Sequence, residues 1–142
     1  QKYGQLNAPY IIATNVLDGF LDEEDILEAL YGQEAVSVKV TTSGGIAKSK
    51  PYRVPNGLWR DYSGSRYTRV SAVIIAKDLW PWSIPRADLT VYFNPWAECP
   101  ITENLPNLGS VRIDHNGTLV KMAGTSLSEL FGLPINWPKN RQ

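Results

Sequence analysis

The sequence predicts an α+β fold: a mixed or mostly antiparallel sheet of short strands with two short helices. Three observations predict it. Apolar or alternating runs of strand length recur at residues 9–15, 36–42, 67–77 and 89–93. One segment, residues 22–31, carries complete helix punctuation. Asn116-Gly117 lies between two apolar stretches, and this dipeptide suits the positive φ values of a type I′ hairpin turn.

Residues 9–15, Pro-Tyr-Ile-Ile-Ala-Thr-Asn, read as a buried strand bounded by turn formers. In the helix that follows, Asp22 is the N-cap, and Leu21 and Ile26 stand at the staple positions. Glu23, Glu24 and Asp25 fill the first turn, where the helix dipole favours anions. Ile26, Leu27, Leu30 and Tyr31 form the inward stripe, and Gly32 ends the helix. Residues 36–42 alternate, Val36, Val38 and Val40 against Ser37, Lys39 and Thr41, which predicts a half-buried strand broken by Ser43-Gly44-Gly45.

Residues 48–64 are polar, hold two prolines, Asn56-Gly57 and Ser63-Gly64, and predict a loop with a short hairpin around Leu58-Trp59. Residues 67–77 predict a strand buried at its centre, 81–85 a bend, and 89–93 a strand halted by Asn94-Pro95. Residues 101–109 read as loop and 111–122 as a hairpin with Asn116-Gly117 at its tip. Ser126 caps a short helix over 127–131, closed by Gly132 and Pro134, and 138–142 read as a frayed tail.

The 142 residues fit one α+β domain, or the C-terminal fragment of a longer protein. The chain opens Gln1-Lys2-Tyr3-Gly4, with neither an initiator Met nor the charged-then-apolar pattern of a signal peptide. Gly4 reads as the stop of a helix that precedes it. Apolar residues make up 43% and charged residues 20%, a composition that supports a core and argues against disorder. No apolar run approaches the roughly 20 residues needed to cross a bilayer. The lone Cys99 excludes an internal disulfide, so a soluble, cytoplasmic protein is the expectation, with no membrane partner.

Lysine plus arginine balances aspartate plus glutamate, 14 against 14, yet the charge is segregated. Residues 18–34 hold seven acids and no base, while 48–86 hold eight bases against Asp61 and Asp78. The acids are explained by capping and dipole pairing, and their spacing matches no calcium-binding loop. With only His115 beside Cys99, no metal site is expected. No Gly-x-Ser-x-Gly elbow is present, and Ser43-Gly44-Gly45 lacks the Lys-Ser/Thr ending of a phosphate loop. Asp114 and His115 lie at a hairpin tip, where polar side chains belong anyway. Neither catalytic residues nor a cofactor are therefore expected.

The basic side points to chemistry. Arg60, Arg66, Tyr67 and Arg69 cluster with Trp59 and Tyr62, and Lys48, Lys50 and Arg53 lie just upstream. Arginines interleaved with aromatics suit phosphate contact plus base stacking. Trp80 and Trp82 flank Pro81 and Trp96 follows Pro95, a pattern that caps a sheet end or fills a satellite core, with a ligand groove as the alternative.

Several blocks carry a family resemblance: Gly4-Gln5-Leu6 with Pro9-Tyr10-Ile11-Ile12-Ala13 and Asn15; Leu21-Asp22-Glu23-Glu24-Asp25-Ile26 with Ala29-Leu30-Tyr31-Gly32; Gly57-Leu58-Trp59. Further on come 66–73, Asn94-Pro95-Trp96-Ala97 and Leu130-Phe131-Gly132-Leu133-Pro134. In this order they resemble the C-terminal half of a group of uncharacterised bacterial proteins whose N-terminal half resembles the PD-(D/E)xK restriction-endonuclease-like core. The resemblance implies that 9–15 is a late strand of that core and that the remainder is its outer part plus an appended region. It also implies that nuclease chemistry, if the family has it, lies upstream. The expected function is then an accessory part of a nuclease-like protein in contact with nucleic acid. The alternative is an interaction or homodimerisation module without enzymatic activity, in which Trp80, Trp82 and Trp96 meet a second copy or an upstream domain.

Overall fold

The computed structural model describes residues 7–17, 19, 21–40, 42, 44–103, 105, 107–114, 117–134 and 136–138, and for 46–50 its description covers the backbone. The helix stop expected at Gly4, Asp18 of the acidic run, Ser43, His115 and Asn116 at the hairpin tip, and residues 139–142 lie outside the described residues.

The described residues form an α+β fold, as the sequence predicts. The elements run β1 (Ile11–Val16), α1 (Glu23–Tyr31), β2 (Glu34–Val40), β3 (Ile46–Arg53), β4 (Arg60–Asp61), β5 (Gly64–Ser65), β6 (Ala72–Lys77), a 3-10 turn (Ile84–Arg86), β7 (Leu89–Phe93), β8 (Gly109–Ile113), β9 (Leu119–Met122) and α2 (Leu127–Leu130). A five-stranded mixed sheet has the order β1-β6-β7-β8-β9. β1 is parallel to β6, and β7 is parallel to β8, while β6–β7 and β8–β9 are antiparallel. Each parallel pair needs a crossover. α1 and the segments after it supply the first, and residues 94–108 supply the second.

α1 forms because its N-terminus is closed on itself. Asp25 N donates to Asp22 Oδ1 at 2.9 Å and Asp22 N donates to Asp25 Oδ2 at 3.0 Å, a reciprocal capping box. Its stripe of Ile26, Leu27, Leu30 and Tyr31 is buried against Val73 and Ile75 of β6, Tyr92 of β7 and Val111 of β8. The period-two alternation of strands sends Ala72, Val91 and Phe93 to the opposite face. There Ile101, Leu105 and Leu108 of the second crossover pack over them.

Tyr31 ties the helix to the sheet. Its hydroxyl lies 2.9 Å from Phe93 O and 3.2 Å from Val111 O, where β7 ends beside β8. Its ring meets the fully buried Trp59 edge-on at 4.8 Å. Trp59 arrives because the chain crosses the end of α1: Leu58 N donates to Ala29 O and Trp59 N to Leu30 O, satisfying carbonyls the helix leaves open. The crossing requires glycine twice. A Cβ on Gly57 would meet Leu30 O at 2.7 Å, and one on Gly32, at φ +89°, would collide with Val54 O.

Four expectations need correction. Residues 9–15 were expected to be a buried strand, but β1 is an edge strand and mostly exposed, Ile12 to 40%. Residues 36–42 were expected to be half-buried, but β2 pairs only with β3 and exposes Val36, Val38 and Val40. The alternation encodes two faces, and among the described residues neither the valines nor Ser37 and Lys39 between them are buried. Residues 48–64 are not simply a loop: β3 occupies their first part, and β4 and β5 form the short hairpin after Trp59. Pro51 sits within β3 because both strands of a two-stranded ribbon are edges. The strand expected over 67–77 begins at Ala72, since Tyr67 has φ +50° and Val70 N donates back to Tyr67 O.

Candidate nucleic-acid interface

The basic and aromatic residues are positioned by a hydrogen-bonded hub where β6 begins and β7 ends. Ser71 and Asn94 are buried there. The Ser71 hydroxyl donates to Cys99 O at 2.6 Å and accepts from Tyr10 N at 2.9 Å. Asn94 Nδ2 donates to Val70 O at 2.8 Å, and its Oδ1 accepts from Trp96 N at 3.0 Å. Buried polar groups must be paired in this way, and the pairing fixes the loops on both sides.

On that base sits a ledge. Trp59 anchors its near end, and Arg66 N donates to Trp59 O at 2.8 Å, folding the β4–β5 hairpin back so that Arg60 and Arg66 flank one anchor. The Arg60 guanidinium lies 5.7 Å from the centre of the Trp96 ring, and that of Arg66 lies 5.3 Å from the Tyr67 ring. Each such cation–π contact is worth about 0.5–1 kcal/mol at an exposed site. Arg66 also meets Asp61 at 3.2 Å. Arg69 is exposed and has no partner among the described residues. Thr68 joins the ledge to the 94–99 loop, its hydroxyl donating to Glu98 Oε1 at 2.6 Å and its carbonyl accepting from Glu98 N.

Arg60 is therefore brought to Trp96, expected as an interface residue, and Arg66 to Tyr67, with the exposed Arg69 two residues further along the chain. Three other members of the basic cluster stand apart. Arg53 is mostly buried and committed at the root of β3: Nη1 donates to Gly32 O at 2.9 Å, and Nη2 meets Glu34 at 3.2 Å and Glu24 at 3.4 Å. Lys48 and Lys50 lie on β3.

Trp80 and Trp82 occupy the other end of β6, beyond Lys77. Their rings stack at 5.4 Å and within 5° of parallel, and both are exposed. The segment is braced. Asn15 of β1 accepts from Leu79 N and donates to Leu79 O, while the Ser83 hydroxyl accepts from Trp80 N and faces Asp78 O.

Sequence reasoning missed a cleft of about 530 Å³ at that end of the sheet. Glu23, Lys77, Asp88, Tyr92, Lys121 and Ser126 are among its lining residues. Lys121 Nζ and Glu23 Oε2 close to 2.8 Å. Burial, and secondarily the Glu23 charge, push the Tyr92 phenol up to about 12, a rise moderated by its hydrogen bond with Thr90. These residues come from α1, three strands, the segment just before β7 and the α2 cap, so no local spacing could have signalled them. Among the described residues, no group of three or more His, Cys, Asp or Glu gathers where a metal ion could be held, and no helix is long and apolar enough to cross a membrane.

No family model matches the chain, and no match is found among curated proteins or solved structures.

Proposed function

We propose that the chain is a non-catalytic, nucleic-acid-contacting part of a larger nuclease-like protein, and that the ledge of Arg60, Arg66, Tyr67, Arg69 and Trp96 makes the contact. One observation carries the reading: two guanidinium–aromatic pairs, Arg60 with Trp96 and Arg66 with Tyr67, stand beside loops fixed by Ser71 and Asn94, and the exposed Arg69 follows Tyr67 closely in the chain. Arginine neutralises phosphate, and the exposed Tyr67 ring offers a face on which a base of any sequence stacks. This combination suits single-stranded segments, whose bases are free to stack. Catalysis, on this reading, belongs to the upstream part of the family that the sequence resembles.

Fluorescence anisotropy with a labelled single-stranded oligonucleotide tests the proposal. Three arginines contributing about 0.7 each give a log–log salt slope of about −2. The double variant Arg60→Glu/Arg66→Glu abolishes binding if the ledge is the contact. Undiminished retention by that variant removes the proposal.

A second reading is supported by the braced, exposed Trp80–Trp82 stack: an interaction surface that pairs protomers. Light scattering that finds a strict monomer at high concentration removes it.

A further inference from the structure

We infer that the β2–β3 ribbon is an arm that enters a groove of a nucleic-acid duplex. The inference rests on the nucleic-acid reading above and adds to it the duplex and the element that enters it. The ribbon belongs to neither the main sheet nor the β4–β5 hairpin. Beyond its root the valines face open surroundings: Val36, Val38 and Val40 are 49%, 53% and 73% exposed. Between residues 35 and 52 the sequence places Lys39, Lys48 and Lys50 on the two strands and no acid at all. Glu34, the one carboxylate within the ribbon, sits at the root and is taken up by Arg53 at 3.2 Å. The arm therefore meets a partner with positive charge only, and the complement of such a surface is a polyanion.

Dimensions agree. Eight residues of β3 at roughly 3.3 Å each give an arm of about 26 Å, and two paired strands fit a major groove about 12 Å wide. Two-stranded ribbons twist strongly, and the register shift between Val36 and Val38 adds twist near the root, so the arm curves as a groove does. The uncharged valines suit the floor of a groove, where thymine methyls and sugar edges are apolar, and a ribbon whose sequence carries lysines and no acid suits the phosphates that line it. The root is stiff, because the Arg53 guanidinium binds the last turn of α1 through Gly32 O at 2.9 Å.

Matched duplex and single-stranded probes, read by anisotropy alongside circular dichroism to confirm folding, test the arm separately from the ledge. Lys48→Glu/Lys50→Glu is expected to lower duplex affinity at least about tenfold and to flatten the salt slope by about 2, with single-strand binding retained. If that variant keeps wild-type duplex affinity while Arg60→Glu/Arg66→Glu loses single-strand binding, the arm inference falls and the ledge stands. If the wild-type chain binds neither probe, both fall. Val38→Ser/Val40→Ser gives a further outcome. Conversion of a wild-type dimer to a monomer with duplex binding untouched would mean that the arm grips a second copy, and it overturns the inference.

Discussion

Tyr31→Phe isolates one hydrogen-bonding group at the centre of the fold. The substitution keeps the ring, its edge-on contact with Trp59 at 4.8 Å and its place in the core, and deletes only the hydroxyl. That hydroxyl serves two carbonyls at 2.9 and 3.2 Å, and among the described residues no other side chain of α1 donates to Phe93 O or Val111 O. Leaving a buried acceptor unmet costs about 1–3 kcal/mol, so a loss near 2 kcal/mol is expected. For a chain of this length that corresponds to a fall in Tm of roughly 5–9 °C. Urea denaturation followed by circular dichroism should show a lower midpoint at an unchanged m value, since the surface exposed on unfolding is the same. Tyr31→Ala provides the scale: it also removes the ring and should cost about 3–5 kcal/mol. A Tyr31→Phe loss below about 0.5 kcal/mol would refute the claim that this hydroxyl fastens α1 to the sheet.

Two more outcomes follow from the same core. Gly57→Ala places a methyl 2.7 Å from Leu30 O in a backbone crossing that cannot yield, so the variant should be among the most damaging single changes, losing the cooperative thermal transition or lowering Tm by more than Tyr31→Phe does. Stability should also fall in strong base. Burial raises the Tyr31 and Tyr92 phenols above their ordinary value near 10, so the folded state holds protons that the unfolded chain releases. The stabilisation is fully present below pH 10 and is lost between about 10 and 12 as far as Tyr92 is concerned, with Tyr31 extending the loss higher. Tyrosinate absorbance during a pH titration checks this: a fraction of the signal should appear only with unfolding, and full ionisation while the chain is still folded would contradict it.

Sequence and structure agree where a signal is local. Asp22, the acidic first turn and Gly32 delimit α1, and its four inward residues are the ones buried. Leu89–Phe93 and the cap at Ser126 are as legible, because Asn94-Pro95 and a serine three residues ahead of Glu129 act on their immediate neighbours. What was illegible depends on what comes to lie alongside. Val36, Val38 and Val40 alternate like a core strand, yet all three stay exposed. Pro51 argued for loop and stands in a ribbon whose strands are both edges. The site divides in the same way. Arg66 and Tyr67 are neighbours in sequence and in space, whereas the alliance of Trp96 with Arg60 depends on the turn that Asn94 builds. Arg53 resembled its neighbours in type, but its surroundings of Gly32, Glu24 and Glu34 were set by the packing of α1.

The meeting of Gly32 with the 54–57 segment has a mechanical consequence. The ribbon leaves the body just after Gly32 and rejoins it just before Gly57, and the arginine-rich stretch departs directly from that point. Both excursions thus hang from one knot at the end of α1. Strain imposed on either is delivered to the same few backbone atoms, and it reaches the other without passing through the main sheet.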